Sequence, residues 1–213
     1  MKPHYTDNDI TIHKIKCGPY DNNAYILVCS ETNESIIIDT PSDPSVVVAL
    51  ASTTSVKSIV ITHNHMDHLL GFDEVTSAFD VPVAIGADDA SALSRPADFL
   101  LQTGSKITAG KITLDAIHTP GHTDGSICYK FQEHLFTGDT LFPGGPGKTR
   151  SSEHLVQILD SLTTSIFSLP SEMVFYPGHG EDGKLEDSKR DYALFAGNEH
   201  SPDLHGDVEW LKH

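Results

Sequence analysis

Apolar and polar residues alternate from Thr11 to Lys16 and again from Ala24 to Cys29, the two-residue period of a strand with one covered face. Glu34–Thr40, ESIIIDT, is a β-branched run closed by an acid and a proline turn, and it predicts the third strand of a meander. Pro44–Ser52 predicts a helix, with Pro44 at its first position and Asp43 as its cap. Lys57–Thr62, KSIVIT, is a compact apolar strand that runs into HNHMDHLLG, and a helix is expected over Asp67–Ala78. A short strand at Val81–Ile85 and a helical stretch at Ala87–Leu93 follow, and Thr103–Gly110 reads as turns. Lys111–His118 predicts a strand, and Ser126–Phe131 with His134–Thr137 a hairpin. The clearest helical period lies in Ser151–Leu169, where Leu155, Ile158, Leu159, Leu162 and Ile166 share a face and Ser152 is placed to cap. Met173–Tyr176 is a last apolar strand, and the charged tail from Glu181 reads as part helix, part coil.

One feature repeats through this pattern. Four apolar strands each end in a turn that carries histidine or aspartate: VIT into HNHMDH, AIHTP into GH, LFTG into D, and VFYPG into H. Strands mixed with helices in two similar halves predict an α/β fold of two sheets faced by helices, with the loops gathered at one edge. No linker or low-complexity segment interrupts the chain, so a single domain over residues 1–213 is expected.

Composition changes this picture in three places. A formal net charge of -16 repels phosphate backbones, so nucleic acid is not expected as a partner. No apolar stretch is long enough to cross a bilayer, and Met1–Ile10 lacks the apolar core of a signal peptide. Cys17, Cys29 and Cys128 form no C-x-x-C pair and lie in or beside apolar runs, so buried reduced thiols are expected. Together these predict a cytoplasmic protein that acts on a small molecule. Histidine, of which there are 13, changes it further.

His63, His65, Asp67 and His68 form H-x-H-x-D-H. In an extended loop His63 and His65 project to one side and can reach one ion. A turn can then swing Asp67 and His68 toward a second. Imidazoles with a carboxylate suit zinc, iron or manganese better than calcium. His122 in TPGHT, Asp139 in TGDT and His179 in PGHG are the distant candidates, each behind a glycine that lets the backbone aim the side chain inward. Taken singly, each is a loop residue; together they put a metal-capable group at the same end of four strands.

The motifs THNHMDH, TPGHTDGSICY, LFTGDTLF and YPGHG resemble the metallo-β-lactamase superfamily, and within it the glyoxalase II-like branch, from about Cys17 to Gly180. The resemblance implies a four-layer αββα sandwich with the site at its edge. It implies that His63, His65 and His122 bind one metal, that Asp67, His68 and His179 bind a second, and that Asp139 bridges them. Zinc is the expected metal, with iron or manganese as alternatives. The chemistry implied is hydrolysis by a hydroxide shared between the ions, with Asp67 orienting the water. Asp39 reads either as a partner behind a ligand histidine that fixes its tautomer or as a plain turn residue.

Thioesters are the expected substrates, because a thiolate leaves without a strong general acid. Glyoxalase II proper grips glutathione with a C-terminal helical domain, and the chain after His179 is too short to supply one. The family's basic residue after the bridging aspartate has a counterpart in Lys148, but Arg150 and Glu181 stand where aromatics are expected. The glycine-rich loop Phe142–Arg150 reads as a clamp in which Lys148 and Arg150 bind a substrate carboxylate, with a surface turn as the alternative. The rival activities are a lactonase of the same fold and a mononuclear-iron persulfide dioxygenase; outside enzymes, the rival is a metal-binding module.

Overall fold

The computed structural model describes residues 2–212. Met1 and His213, the two ends of the expected 1–213 domain, lie outside the described residues. The first sheet holds β1 (Tyr5–Thr6), β2 (Ile10–Cys17), β3 (Asn22–Cys29), β4 (Glu34–Ile38), β5 (Ser55–Val60), β6 (Val83–Gly86) and β7 (Phe99–Leu101), in that spatial order. The second begins with β8 (Lys106–Ala109), β9 (Ile112–His118), β10 (Ile127–Phe131) and β11 (His134–Gly138). A separate hairpin of β12 (Leu141–Phe142) and β13 (Gly145–Pro146) follows. Then β14 (Val174–Pro177) and β15 (Gly183–Lys184) complete the second sheet, whose order is β15-β14-β11-β10-β9-β8.

The alternation of each strand decides its two faces. Ile36 and Ile38 of β4 point into the space between the sheets, with Ile12, Leu27 and Val60, against Ile112, Leu114, Tyr129 and Phe136 of the second sheet. Ile37 points the other way, with Ile26 and Ile59, under Val47 of helix α1 (Ser45–Ala51). Both faces of β4 are therefore covered, which explains why its core reads as an unbroken III. Each such side chain contributes about 1.5–3 kcal/mol by leaving water. On the far side, Leu135 and Phe175 are covered by Leu155 and Ile158 of a helix over Ser152–Ser161 and by Phe195 of another over Leu185–Ala196. The layers run helix, sheet, sheet, helix, as the resemblance implied.

Several boundaries differ from the sequence expectation. The helix expected over Asp67–Ala78 is two helices, α2 (Met66–Leu69) and α3 (Phe72–Ala78). The break falls at Gly71, whose N–H donates to the Thr40 carbonyl at 2.8 Å and where a Cβ would lie 2.3 Å from the Pro41 carbonyl oxygen. Asp43 does not cap α1; it takes a left-handed φ of 54° and Pro44 stands at the cap without a side-chain bond. Ser151, not Ser152, caps the Ser152–Ser161 helix, α4, by accepting from His154 N–H at 3.4 Å. That helix widens into a π turn at Leu162–Ile166, where Phe167 N–H donates to the Leu162 carbonyl at 2.7 Å, and does not continue to Leu169. Thr103–Gly110 contains β8, a short alternation of buried Ile107 and Ala109 with exposed Lys106 and Thr108 that its flanking turn formers disguise. The 185–196 helix, α5, lies in the tail expected to be partly helical.

Strand direction places the site. β9 is antiparallel to β10, β10 antiparallel to β11, and β11 parallel to β14. The carboxyl ends of β9, β11 and β14 therefore emerge at one edge, carrying the loops with His122, Asp139 and His179.

Candidate metal centre

At that edge the four loops converge. His63 and His65 follow β5, and α2 places Asp67 and His68 on a single turn. Potential ligand atoms of His63, His65 and His122 lie within 4.8 Å of one another, as do those of His63, His68 and Asp139, and those of Asp67, His68 and His179. Asp139 sits between the groups: one carboxylate oxygen is 3.6 Å from His122 Nε2 and 3.4 Å from His179 Nε2, and the other is 3.4 Å from His68 Nε2. Asp67 lies 3.2 Å from His179 Nε2 and 3.7 Å from His68 Nε2.

The imidazoles are oriented from behind. His122 Nδ1 faces the Lys148 carbonyl and His179 Nδ1 the Tyr20 carbonyl, each at 2.8 Å. A carbonyl only accepts, so each Nδ1 carries the proton and each Nε2 presents a lone pair inward. His68 Nδ1 meets the Asp39 carboxylate at 2.9 Å, and His63 Nδ1 lies 3.0 Å from the Thr62 hydroxyl. That hydroxyl donates to Asp39 at 2.8 Å, and Thr62 N–H donates to the other Asp39 oxygen at 2.7 Å. Asp39 is buried and holds a left-handed φ of 61°, uncommon outside glycine. One strained carboxylate thus orients His68 directly and His63 through Thr62.

Glycines act here in two ways. Gly138 takes a φ of 48°, the left-handed turn that brings Asp139 inward. Gly178 serves by size, since a Cβ there would lie 2.3 Å from Asp139 Oδ1 and 2.6 Å from His68 Cε1.

The electrostatics differ across the centre. Burial, reinforced by neighbouring imidazoles, holds His63 well below the usual histidine range, and burial lowers His122. Burial would also lower His68 and His179, but the carboxylates win: Asp139 and Asp39 raise His68 well above its usual value, and Asp139 with Asp67 raises His179 to about 10. Burial alone would raise Asp139; the His68 and His179 imidazoles instead hold it well below the usual carboxylate range. His179 likewise holds Asp67 down, with help from the Asn22 amide.

Does this donor set fit metal? His63 Nε2, His122 Nε2 and Asp139 Oδ1 are buried without a hydrogen-bond partner. His68 Nε2 and His179 Nε2 approach to 3.2 Å while both Nδ1 atoms already have acceptors. Converging lone pairs and carboxylates of this kind are stable only around positive charge, and imidazole with carboxylate is a donor set for divalent transition ions. The residues fit.

Two groups here had no sequence signal. Asn22, at the start of β3, donates to Asp67 at 2.9 Å. Asp89 is buried behind the first trio and ties its loops together: it accepts from Asn64 N–H at 3.0 Å, Thr123 Oγ1 at 2.6 Å and Gly125 N–H at 3.0 Å. Burial raises its pKa.

Lys148 and Arg150 stand apart at the mouth. Both are exposed and line a cavity of about 250 Å³ beside His65 and His122. Lys148 Nζ is 3.4 Å from Asp207, whereas Arg150 Nη2 donates to both Asp124 oxygens at 2.9 and 3.1 Å and Arg150 Nε lies 2.6 Å from His154 Nε2. The Phe142–Arg150 loop is not a loose turn. Its β12–β13 hairpin is bound by the chain's tail: Trp210 N–H donates to the Gly144 carbonyl at 2.9 Å, and Thr149 and Gly206 exchange two bonds at 3.1 Å. The tail also brings Asp207 and Glu209 to a second cavity, of about 310 Å³, that opens onto His122, Asp139 and His179.

Comparison with known proteins agrees with this geometry. Residues 17–179 match the metallo-beta-lactamase superfamily model. A probable hydroxyacylglutathione hydrolase of Schizosaccharomyces pombe is 34% identical over 76% of this chain, and the match spans 65% of that relative's length. A probable metallo-hydrolase of Bacillus subtilis is 26% identical over 79% of this chain and 90% of its own. The crystal structure of ETHE1 from Myxococcus xanthus superposes with a TM-score of 0.78 at 25% identity, covering 88% of this chain and 85% of that one. The matched span runs through every loop of the centre, and the chain belongs to the metallo-beta-lactamase superfamily, among the glyoxalase II-like members.

Proposed function

We propose that this chain is a two-metal hydrolase of thioesters, with zinc as its metal. The observation that carries the reading is the position of Asp139, within 3.4–3.6 Å of histidines from both trios. In this reading His63, His65 and His122 hold one ion, Asp67, His68 and His179 the other, and Asp139 touches both. When bound, two such ions supply a water-derived nucleophile at neutral pH and draw charge off the substrate carbonyl. Asp67, held by Asn22 at 2.9 Å, would offer such a water a fixed carboxylate. Asp39 holds the His68 tautomer. A thiolate leaves without a dedicated proton donor, which suits a centre made of imidazoles and carboxylates.

The mouth supports a thioester other than that of glutathione. Arg150 already spends its charge on Asp124, and Asp207 and Glu209 add negative charge to the rim. Lys148, whose pairing with Asp207 is exposed, is the cation free to exchange partners for a substrate carboxylate.

A side-by-side assay of the metal-loaded protein on several thioesters and lactones tests this. Thioester turnover is expected, with S-lactoylglutathione showing a high KM and a slower rate than a preferred thioester. Efficient lactone turnover with every thioester inert would replace the reading with a lactonase.

A further inference from the structure

A second cluster of ligating groups lies at the opposite end of β11 from Asp139, about 16 Å along the strand at 3.3 Å per residue. It joins Asp7, in the turn between β1 and β2, to Glu133 and His134, at the turn into β11. The three offer ligand atoms within 4.8 Å of one another.

His134 distinguishes this cluster from an ordinary acidic patch. The residue is 1% exposed, and its Nδ1 lies 2.9 Å from the Tyr176 hydroxyl. Its Nε2 is buried and has no hydrogen-bond partner. The nearest carboxylate, Glu133, is 4.0 Å away, too far for a hydrogen bond. Neither tautomer satisfies this nitrogen: as a donor it lacks an acceptor, and as an acceptor it lacks a donor. The Tyr176 oxygen is placed to accept from Nδ1–H, which turns the Nε2 lone pair toward the carboxylates, the arrangement found behind metal-bound histidines. Burial keeps the imidazole neutral and so able to ligate.

The carboxylates are held to different degrees. Asp7 is pinned: its Oδ1 accepts from Asp9 and Ile10 N–H, each at 2.8 Å, and its Oδ2 from the Tyr5 hydroxyl at 3.0 Å. The Tyr5 ring packs edge-on against His134, with centroids 4.5 Å apart. The Glu133 side chain is 50% exposed and free to swing. Ligands around an ion bound at about 2.0–2.2 Å stand about 3.3–3.5 Å apart, so the cluster must contract, and Glu133 can do so by changing rotamer.

We propose that Asp7, Glu133 and His134 form a further binding site for a divalent transition ion, separate from the hydrolytic centre, that clips the β1–β2 turn of the first sheet to β11 of the second. One imidazole and two carboxylates suit zinc or manganese, and the exposed carboxylates give the ion a path from solvent.

The test is a Zn(II) titration of the metal-loaded protein, followed by calorimetry and by the imidazole nitrogen resonances. One equivalent beyond the resident ions should bind, with the His134 Nε2 resonance shifting as it does. Glu133→Gln and Asp7→Asn, both conservative changes at exposed positions, should each weaken this equivalent tenfold or more and leave hydrolysis unchanged. No further equivalent in the wild type would overturn the proposal. So would one that leaves His134 Nε2 unmoved, or one that persists unweakened in both variants.

Discussion

His63, His65 and His122 meet without a carboxylate of their own, whereas His68 and His179 are each within 3.7 Å of Asp67 and within 3.4 Å of Asp139. In the first trio, burial and crowding by other imidazoles lower His63, and burial lowers His122. The second carries the opposite tendency, its histidines raised by carboxylates and its carboxylates lowered by histidines. Under the two-metal reading proposed above, the difference teaches how two sites would share one carboxylate without being alike. In the proposed two-metal reading the first trio would bind through imidazole lone pairs with Asp139 as the carboxylate it shares, whereas the second has Asp67 as a carboxylate of its own. In that reading Asp139 is the group on which both would depend, and Asp39 touches the second directly, through His68.

The strongest break of that comparison is Asp139→Ala. It should remove metal from both subsites and bring thioester hydrolysis to background; full metal content and rate in this variant would remove the bridging role. His122→Ala and His179→Ala should separate the two halves. Each is expected to retain one ion per chain by elemental analysis, the first keeping the carboxylate-rich subsite and the second the three-histidine one. If both variants lose the same ion, the division into trios is wrong.

Asp39→Asn is the subtler probe, since it keeps the shape and removes the charge behind His68. A loss of about 10–100-fold in affinity for the second ion is expected, with a smaller loss at the first because His63 is reached through Thr62. Equal losses at both would show that Asp39 acts on the centre as a whole.

The smallest effects belong to the mouth. Lys148→Ala should raise KM for an anionic thioester several-fold more than it lowers kcat, because a remote cation binds ground and transition states alike. Arg150→Ala should change KM less than Lys148→Ala does, since its guanidinium is committed to Asp124. The reverse order would return the clamp to Arg150.

How much of this could be read from the chain alone follows from what each feature depends on. The III of β4 and the alternation in β2 and β3 are local patterns, and the strands lie where the patterns predict. The ligand loops were legible because each couples an apolar strand to a metal-capable residue within a few positions. Asp39 was legible only as an open choice, for its contact with His68 spans 29 positions. Asn22 and Asp89 left no mark at all: an amide at a strand start and an acid in ADDAS are ordinary until the fold sets them beside Asp67 and beside the Asn64 and Gly125 backbones and the Thr123 hydroxyl. The partners of Lys148 and Arg150 were not legible, because the acids that engage them, Asp207 and Asp124, come from other segments. The break at Gly71 was hidden for the same reason, since the close approach of Pro41 is tertiary.

The shared dependence on Asp139 is tested most directly by locating the ions themselves. Crystals of protein purified without chelator, measured at the absorption edge of the bound metal, should give two anomalous peaks at the sheet edge. They should lie about 3.5–4 Å apart, one against His63, His65 and His122, the other against Asp67, His68 and His179, with Asp139 touching both. A single peak on the three-histidine side that persists after metal supplementation, with Asp67 and His179 left unligated, would contradict the two-metal centre.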